Sequence, residues 1–147
     1  MNIFDNHLKE IKNLILANKK LLKLENTDIL KNVNLEVPPQ QFNFDLSCNI
    51  ALVLGKSNNF NSKDLAKNIR KILLNKIKNF SEIEIAGPGF LNIKLSNAAL
   101  IKNINSILAS NKSYGSKKNN ETYNIEFVSA NPTGPMHVGH CRGAIYG

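Results

Sequence analysis

Two imidazoles in the last quarter of the sequence, His137 and His140, stand three positions apart with Gly139 between them. Residues at that spacing share one face of a helix. The surrounding segment reads as strand, loop and helix. Residues 123–128 have β-branched and aromatic strand content, residues 129–135 are polar and rich in Gly and Pro, and from Met136 onward no Pro obstructs a helix. A helix N-terminus presents free N–H groups and the positive end of the macrodipole, so this junction suits the phosphates of a nucleotide. Gly139 leaves the backbone open to a flat ring or a sugar. His137, His140 and Cys141 are too few groups for a closed tetrahedral metal centre, and no metal is expected there.

The contiguous run Glu126-Phe127-Val128-Ser129-Ala130-Asn131-Pro132-Thr133-Gly134-Pro135-Met136-His137-Val138-Gly139-His140-Cys141-Arg142-Gly143 resembles the first catalytic signature of class I arginyl-tRNA synthetases. In that family a His-x-Gly-His motif follows a Ser-x-Asn element. The resemblance implies that His137 and His140 hold the ATP phosphates and stabilise charge developing at the α-phosphorus. It places Gly139 beneath the adenosine and Glu126, Ser129 and Asn131 around the arginine substrate. Preorganised donors of this kind are the usual source of rate in phosphorus chemistry. Gly134 stands where some members carry Lys, which marks a subgroup. The implied reactants are ATP with Mg²⁺, L-arginine and tRNA(Arg).

The totals bound the rest. The chain has 147 residues, 42% of them hydrophobic, enough for one ordinary core, and no apolar run approaches the ~20 residues of a membrane span. The start, Met1-Asn2-Ile3-Phe4-Asp5, has no basic region followed by an apolar one, so no secretory signal is expected. Two cysteines, Cys48 and Cys141, make no disulfide framework, so a reducing cytoplasm is the default, and a monomer with no membrane partner is expected. The net charge of +8 suits a polyanion partner. Only Arg70 and Arg142 are arginines, however, and abundant Lys, Asn and Ile is also what an AT-rich genome yields, so charge is weak support.

From the start, apolar Phe4, Leu8, Ile11, Leu14 and Ile15, followed by Leu21 and Leu22, space a helix from Ile3 to about Lys20, with His7 as a boundary residue lacking a partner. Residues 33–37 alternate into Pro38-Pro39 as a short strand. Asp45 is read as the cap of a helix running through Cys48, Ile50 and Leu54 to Gly55. Gly55-Lys56-Ser57 is not a phosphate loop, because Ile50 occupies the position of the first glycine that motif requires. Asn61 caps a third helix with Lys63, Lys67, Arg70, Lys71 and Lys78 on a basic face. Residues 82–86 and 90–95 alternate on either side of Gly87-Pro88-Gly89 and predict a hairpin. Ser96 caps a helix through Ala99, Leu100, Ile104 and Leu108, after which the patternless polar residues read as a linker.

These readings give an α+β N-terminal domain, helices packed on a small and mainly antiparallel sheet, over residues 1–112. A linker at 113–122 leads to residues 123–147, the first strand-loop-helix of a truncated Rossmann-type α/β catalytic domain. Ala86-Gly87-Pro88-Gly89-Phe90-Leu91-Asn92 and the helix around Asn49-Ile50-Ala51 also resemble the extra N-terminal domain of arginyl-tRNA synthetases, which in the family contacts the tRNA elbow at the D-loop. Phe44 replaces a glycine of that family's pattern. Which residues here would touch tRNA is not legible. One parallel strand cannot complete a nucleotide fold, so the chain is expected to be an N-terminal part that is inactive alone. The competing readings are a tRNA-elbow binding module without catalysis and an inert product of a truncated gene. A small nucleotidyltransferase using His-x-Gly-His is disfavoured, since it needs sequence downstream of the motif.

Overall fold

The structure is a computed structural model; it describes residues 2–116, 120–131 and 133–146, without the side chain of Lys112. Lys117 to Asn119 of the expected linker, Pro132 of the motif, Met1 and Gly147 lie outside the described residues. The chain divides into two compact units, Met1–Gly115 and Ser116–Gly147.

The first unit begins with α1 (Ile3–Ala17), where Asn2 Oδ1 accepts from Phe4 N at 3.0 Å and Ile11 and Ile15 are buried. It stops three residues before Lys20 because Asn18 Nδ2 donates back to the Leu14 carbonyl at 2.8 Å. Beyond that stop the chain buries Leu22 and Leu24 but leaves Leu21 73% exposed. A 3₁₀ turn (Asp28–Asn32) leads to β1 (Leu35–Glu36).

Residues 46–48 correct the sequence reading. Leu46–Cys48 is a strand, β2, and the helix α2 starts only at Ile50 and runs to Ser57. Asp45 caps nothing there: its Oδ2 accepts from Leu95 N at 2.7 Å while its own N–H donates to the Ile93 carbonyl at 3.0 Å. The carboxylate thus extends a strand pairing instead of opening a helix. Gly55 lies within α2 and is buried against Ser62, which agrees with the rejection of a phosphate loop.

Then follow α3 (Ser62–Lys76), β3 (Phe80–Ala86), β4 (Phe90–Leu95) and α4 (Asn97–Ser110). Asn61 Oδ1 accepts from Lys63 N and Asp64 N, and Ser96 Oγ from Ala99 N, as their residue types predict. The hairpin turn places Gly87 at φ +51° and Gly89 at φ +138°; a Cβ on Gly89 would also sit 3.1 Å from the Ser62 carbonyl oxygen. Only glycine tolerates both demands.

The sheet has strand order β1-β2-β4-β3 with every pairing antiparallel. Leu46, Cys48, Ile83, Leu91 and Ile93 face the core with Ile11, Ile15, Leu54, Ile69 and Leu73, all essentially inaccessible. Burying each Ile or Leu contributes about 1.5–3 kcal/mol. Burial also raises the Cys48 thiol to about 12, against the weaker opposing pulls of a hydrogen bond with the Ile50 backbone and the Lys12 charge. This unit is the α+β domain expected. α4 is its least covered helix: Ala99 is buried, but Ile104 and Leu108 are exposed.

In the second unit α5 (Val138–Tyr146) is the one assigned element among the described residues. The strand expected at residues 123–128 is not formed. Its amino acids favour extended backbone, but a strand requires ladder hydrogen bonds to a neighbour, and the sheet draws all four of its strands from the first unit. Tyr123, Ile125 and Phe127 are exposed.

Candidate functional site

Two places carry unspent polar chemistry. The first is the sheet face opposite the core. Registers Glu36↔Ser47, Ser47↔Asn92 and Glu84↔Asn92 set four polar side chains in one row across all four strands. The alternation of β4 sends Leu91 and Ile93 to the core and Phe90 and Asn92 to this opposite face. An outward strand residue normally meets water. Asn92 does not: it is 2% exposed, because it forms part of a cleft of about 310 Å³ that the 37–42 segment helps to wall with Val37, Pro38, Pro39 and Phe42.

Asn92 Nδ2 is also the one buried side-chain N or O among the described residues with no hydrogen-bond partner. Leaving such a donor unmet costs about 1–3 kcal/mol, so its position calls for a ligand acceptor. Asn34 and Asn49 line the same cleft, fixed to each other by Asn34 N donating to Asn49 Oδ1 at 2.9 Å. Phe90, 39% exposed, offers ring surface. The lining holds the Glu36 carboxylate and no Lys or Arg, so it does not suit a phosphate. Amides, an aromatic ring and one carboxylate instead fit the stacked face and hydrogen-bonding edge of an unpaired nucleobase.

The second place is the start of α5. His137 precedes the helix, and its Nδ1 accepts from Gly139 N at 3.1 Å; His140 Nδ1 accepts in return from His137 N at 3.1 Å. This is a reciprocal capping box built from imidazoles. The rings are stacked obliquely, with centroids 4.0 Å apart. Because each Nδ1 accepts, each neutral ring carries its proton on Nε2 and presents a donor outward. Gly139 has a steric task here: a Cβ would sit 2.9 Å from His137 Cε1 and push the ring off the helix end. Cys141 Sγ lies 3.9 Å from the His137 carbonyl oxygen and is exposed. The structure therefore brings His137, Gly139 and His140 together. Glu126, Ser129 and Asn131 are exposed.

Residues 6–95 match the family described as arginyl tRNA synthetase N terminal domain. The chain belongs to the arginyl-tRNA synthetase family. Its relatives include the arginine–tRNA ligases of Pelagibacter ubique, 44% identical over the whole chain, and Rickettsia bellii, 40% identical over the whole chain. That of Lawsonia intracellularis is 45% identical over 80% of the chain. The chain spans 26%, 25% and 22% of these three relatives' lengths. The Asn92 cleft falls inside the segment that defines the synthetase N-terminal domain. His137 and His140 fall outside it, but inside the stretch aligned with the Pelagibacter ligase.

The sequence reading missed the cleft. Its signal was available in part, since the alternation of residues 90–95 sets Phe90 and Asn92 on one side. That Asn92 would be buried depends on residues 37–42, which are distant in sequence.

Proposed function

We propose that this chain is the N-terminal part of an arginine–tRNA ligase and that its first unit reads the tRNA elbow, taking an unpaired D-loop base into the Asn92 cleft. The observation that carries this reading is the unpartnered Asn92 Nδ2 inside a cleft with an aromatic wall and no cation. Phe90 stacks on the base, Asn92 donates to an acceptor on its edge, and Asn34, Asn49 and Glu36 read the remaining edge. Basic residues outside the cleft, including Lys63, Lys67 and Arg70 of α3, supply salt-dependent attraction to the backbone.

In this reading residues 1–112 are the tRNA-contacting domain, 113–122 a linker and 123–147 the opening of a Rossmann-type catalytic domain, whose first strand forms when further parallel strands pair with it. His137 and His140 then direct Nε2–H donors at ATP phosphates as arginyl-adenylate forms, and Glu126, Ser129 and Asn131 hold L-arginine. Mg²⁺ accompanies ATP, carried by its phosphates. In the same reading the chain alone does not charge tRNA, works as a cytoplasmic monomer and has no membrane partner.

Asn92→Ala and Phe90→Ala test this in a tRNA titration. Each is expected to weaken binding about 5- to 150-fold, corresponding to roughly 1–3 kcal/mol for a base contact or stack. Stability should change little for Asn92→Ala, since Nδ2 bonds to no protein group. Unchanged tRNA affinity in both variants would refute the cleft as the reader.

A further inference from the structure

No buried side chain holds the start of α5. The helix has nine residues, none of them buried, and a helix that short is not stable in water on propensity alone. Its caps therefore matter more than those of α1 or α3, which packing supports. Two backbone donors at this end are met by rings: Gly139 N donates to His137 Nδ1 and His137 N to His140 Nδ1, each at 3.1 Å. A backbone N–H can only donate, so both Nδ1 atoms are bare and both imidazoles are neutral. The two hydrogen bonds themselves fix the protonation state.

Protonating either ring turns its Nδ1 from an acceptor into a donor and sets N–H against N–H. Two further effects have the same sign. A cation at a helix N-terminus opposes the macrodipole, and with the ring centroids 4.0 Å apart a second charge would face the first. No ion pair offsets them. From Phe127 to Cys141 the sequence has no Asp, Glu, Lys or Arg, the bracketing Glu126 and Arg142 are exposed, and neither ring forms an ion pair among the described residues. The Cys141 thiol, 3.9 Å from the His137 carbonyl oxygen, is neutral while it holds its proton.

We propose that His137 and His140 form a proton switch on the start of α5: the first turn is formed while both rings are neutral and opens when either is protonated. The helix start is thus held at the higher pH and lost as pH falls. The switch rests on the two cap bonds and holds whether or not the rings bind ATP.

The test follows the whole chain by NMR from about pH 8 to about pH 5, the range in which imidazoles change charge. The Cε1–H resonances of His137 and His140 report ring protonation, and the Cα shifts of Val138 to Cys141 report the helix. The helix-to-coil ratio of this turn is expected to fall roughly fivefold in step with the two rings. His7 is the internal control. The sequence marks it as a boundary residue without a partner, yet it is 5% exposed in α1 and its Nδ1 lies 3.2 Å from Glu10 Oε2; it belongs to the first unit, so its own titration should leave α5 unmoved. The double variant His137→Asn with His140→Gln keeps a capping box of groups that do not titrate, and its α5 should stay helical across the range. Helical shifts that persist once both rings are protonated, that are absent already at about pH 8, that follow His7 instead, or that are lost equally in the double variant would overturn the switch.

Discussion

The two units of this chain hold opposite shares of packing and signature. Met1–Gly115 contains every buried side chain among the described residues, while in Ser116–Gly147 none is buried and the large apolar residues Ile125, Phe127, Val138 and Ile145 are exposed. Yet the longest contiguous family signature, residues 126–143, lies in the second. A motif is legible when its residues are contiguous and locally arranged, whether or not the segment can bury itself. His137, Gly139 and His140 form a self-contained helix start. Residues 123–128 have strand composition but no partner, and propensity alone does not make a strand.

The widest gap between the units should appear in hydrogen exchange. Amides of Ile83, Leu91 and Ile93 are expected to open only with global unfolding, slowed by roughly 10³-fold or more, while Phe127 and Val128 exchange nearly as free peptide. Strong protection at Phe127 would break the comparison. Next in size is truncation. Leu54→Ala is expected to cost about 2–5 kcal/mol in urea unfolding, against less than about 0.5 kcal/mol for Ile145→Ala.

A third contrast uses the cysteines. The Cys48 thiol stands at about 12 in the folded protein, above the ~8.5 of an unfolded chain. The neutral buried form therefore contributes stability fully present below ~8.5, and that contribution is lost as pH rises towards 12, by about 1.4 kcal/mol per pH unit. Cys48→Ala should remove this part of the alkaline slope, and alkylation should modify exposed Cys141 long before Cys48. An alkaline slope unchanged in Cys48→Ala would show that the thiol does not contribute it. A smaller loss than at Leu54 is expected at Asn61→Ala, which removes the two cap bonds of α3 and should cost about 1 kcal/mol in urea unfolding.

Much of the first unit was legible in the sequence. The helices around Ile11, Ile69 and Leu100 announce themselves by spacing and caps, and the 82–95 hairpin by alternation around two glycines. β2 was not legible: Leu46-Ser47-Cys48 is too short to show a period, and the carboxylate of Asp45 is equally suited to cap a helix or to accept from Leu95, fifty residues away. The burial of His7 was missed although Glu10, at i+3, was its evident partner. Of the two candidate places, the imidazole pair is local and legible from its spacing. The Asn92 cleft is assembled from β1, β2, β4 and the 37–42 segment, contacts that no local pattern encodes.

Whether the packed unit reads the tRNA elbow is decided by a salt-dependent titration of the whole chain. The protein is titrated with tRNA bearing the arginine anticodon and, in parallel, with a variant whose D-loop base is replaced. Binding to the first should weaken as salt rises, and binding to the variant should be weaker at every salt concentration, with a similar salt slope because the phosphate contacts are kept. Equal binding of the two tRNAs across the salt range would leave only lysine-rich attraction and contradict the claim.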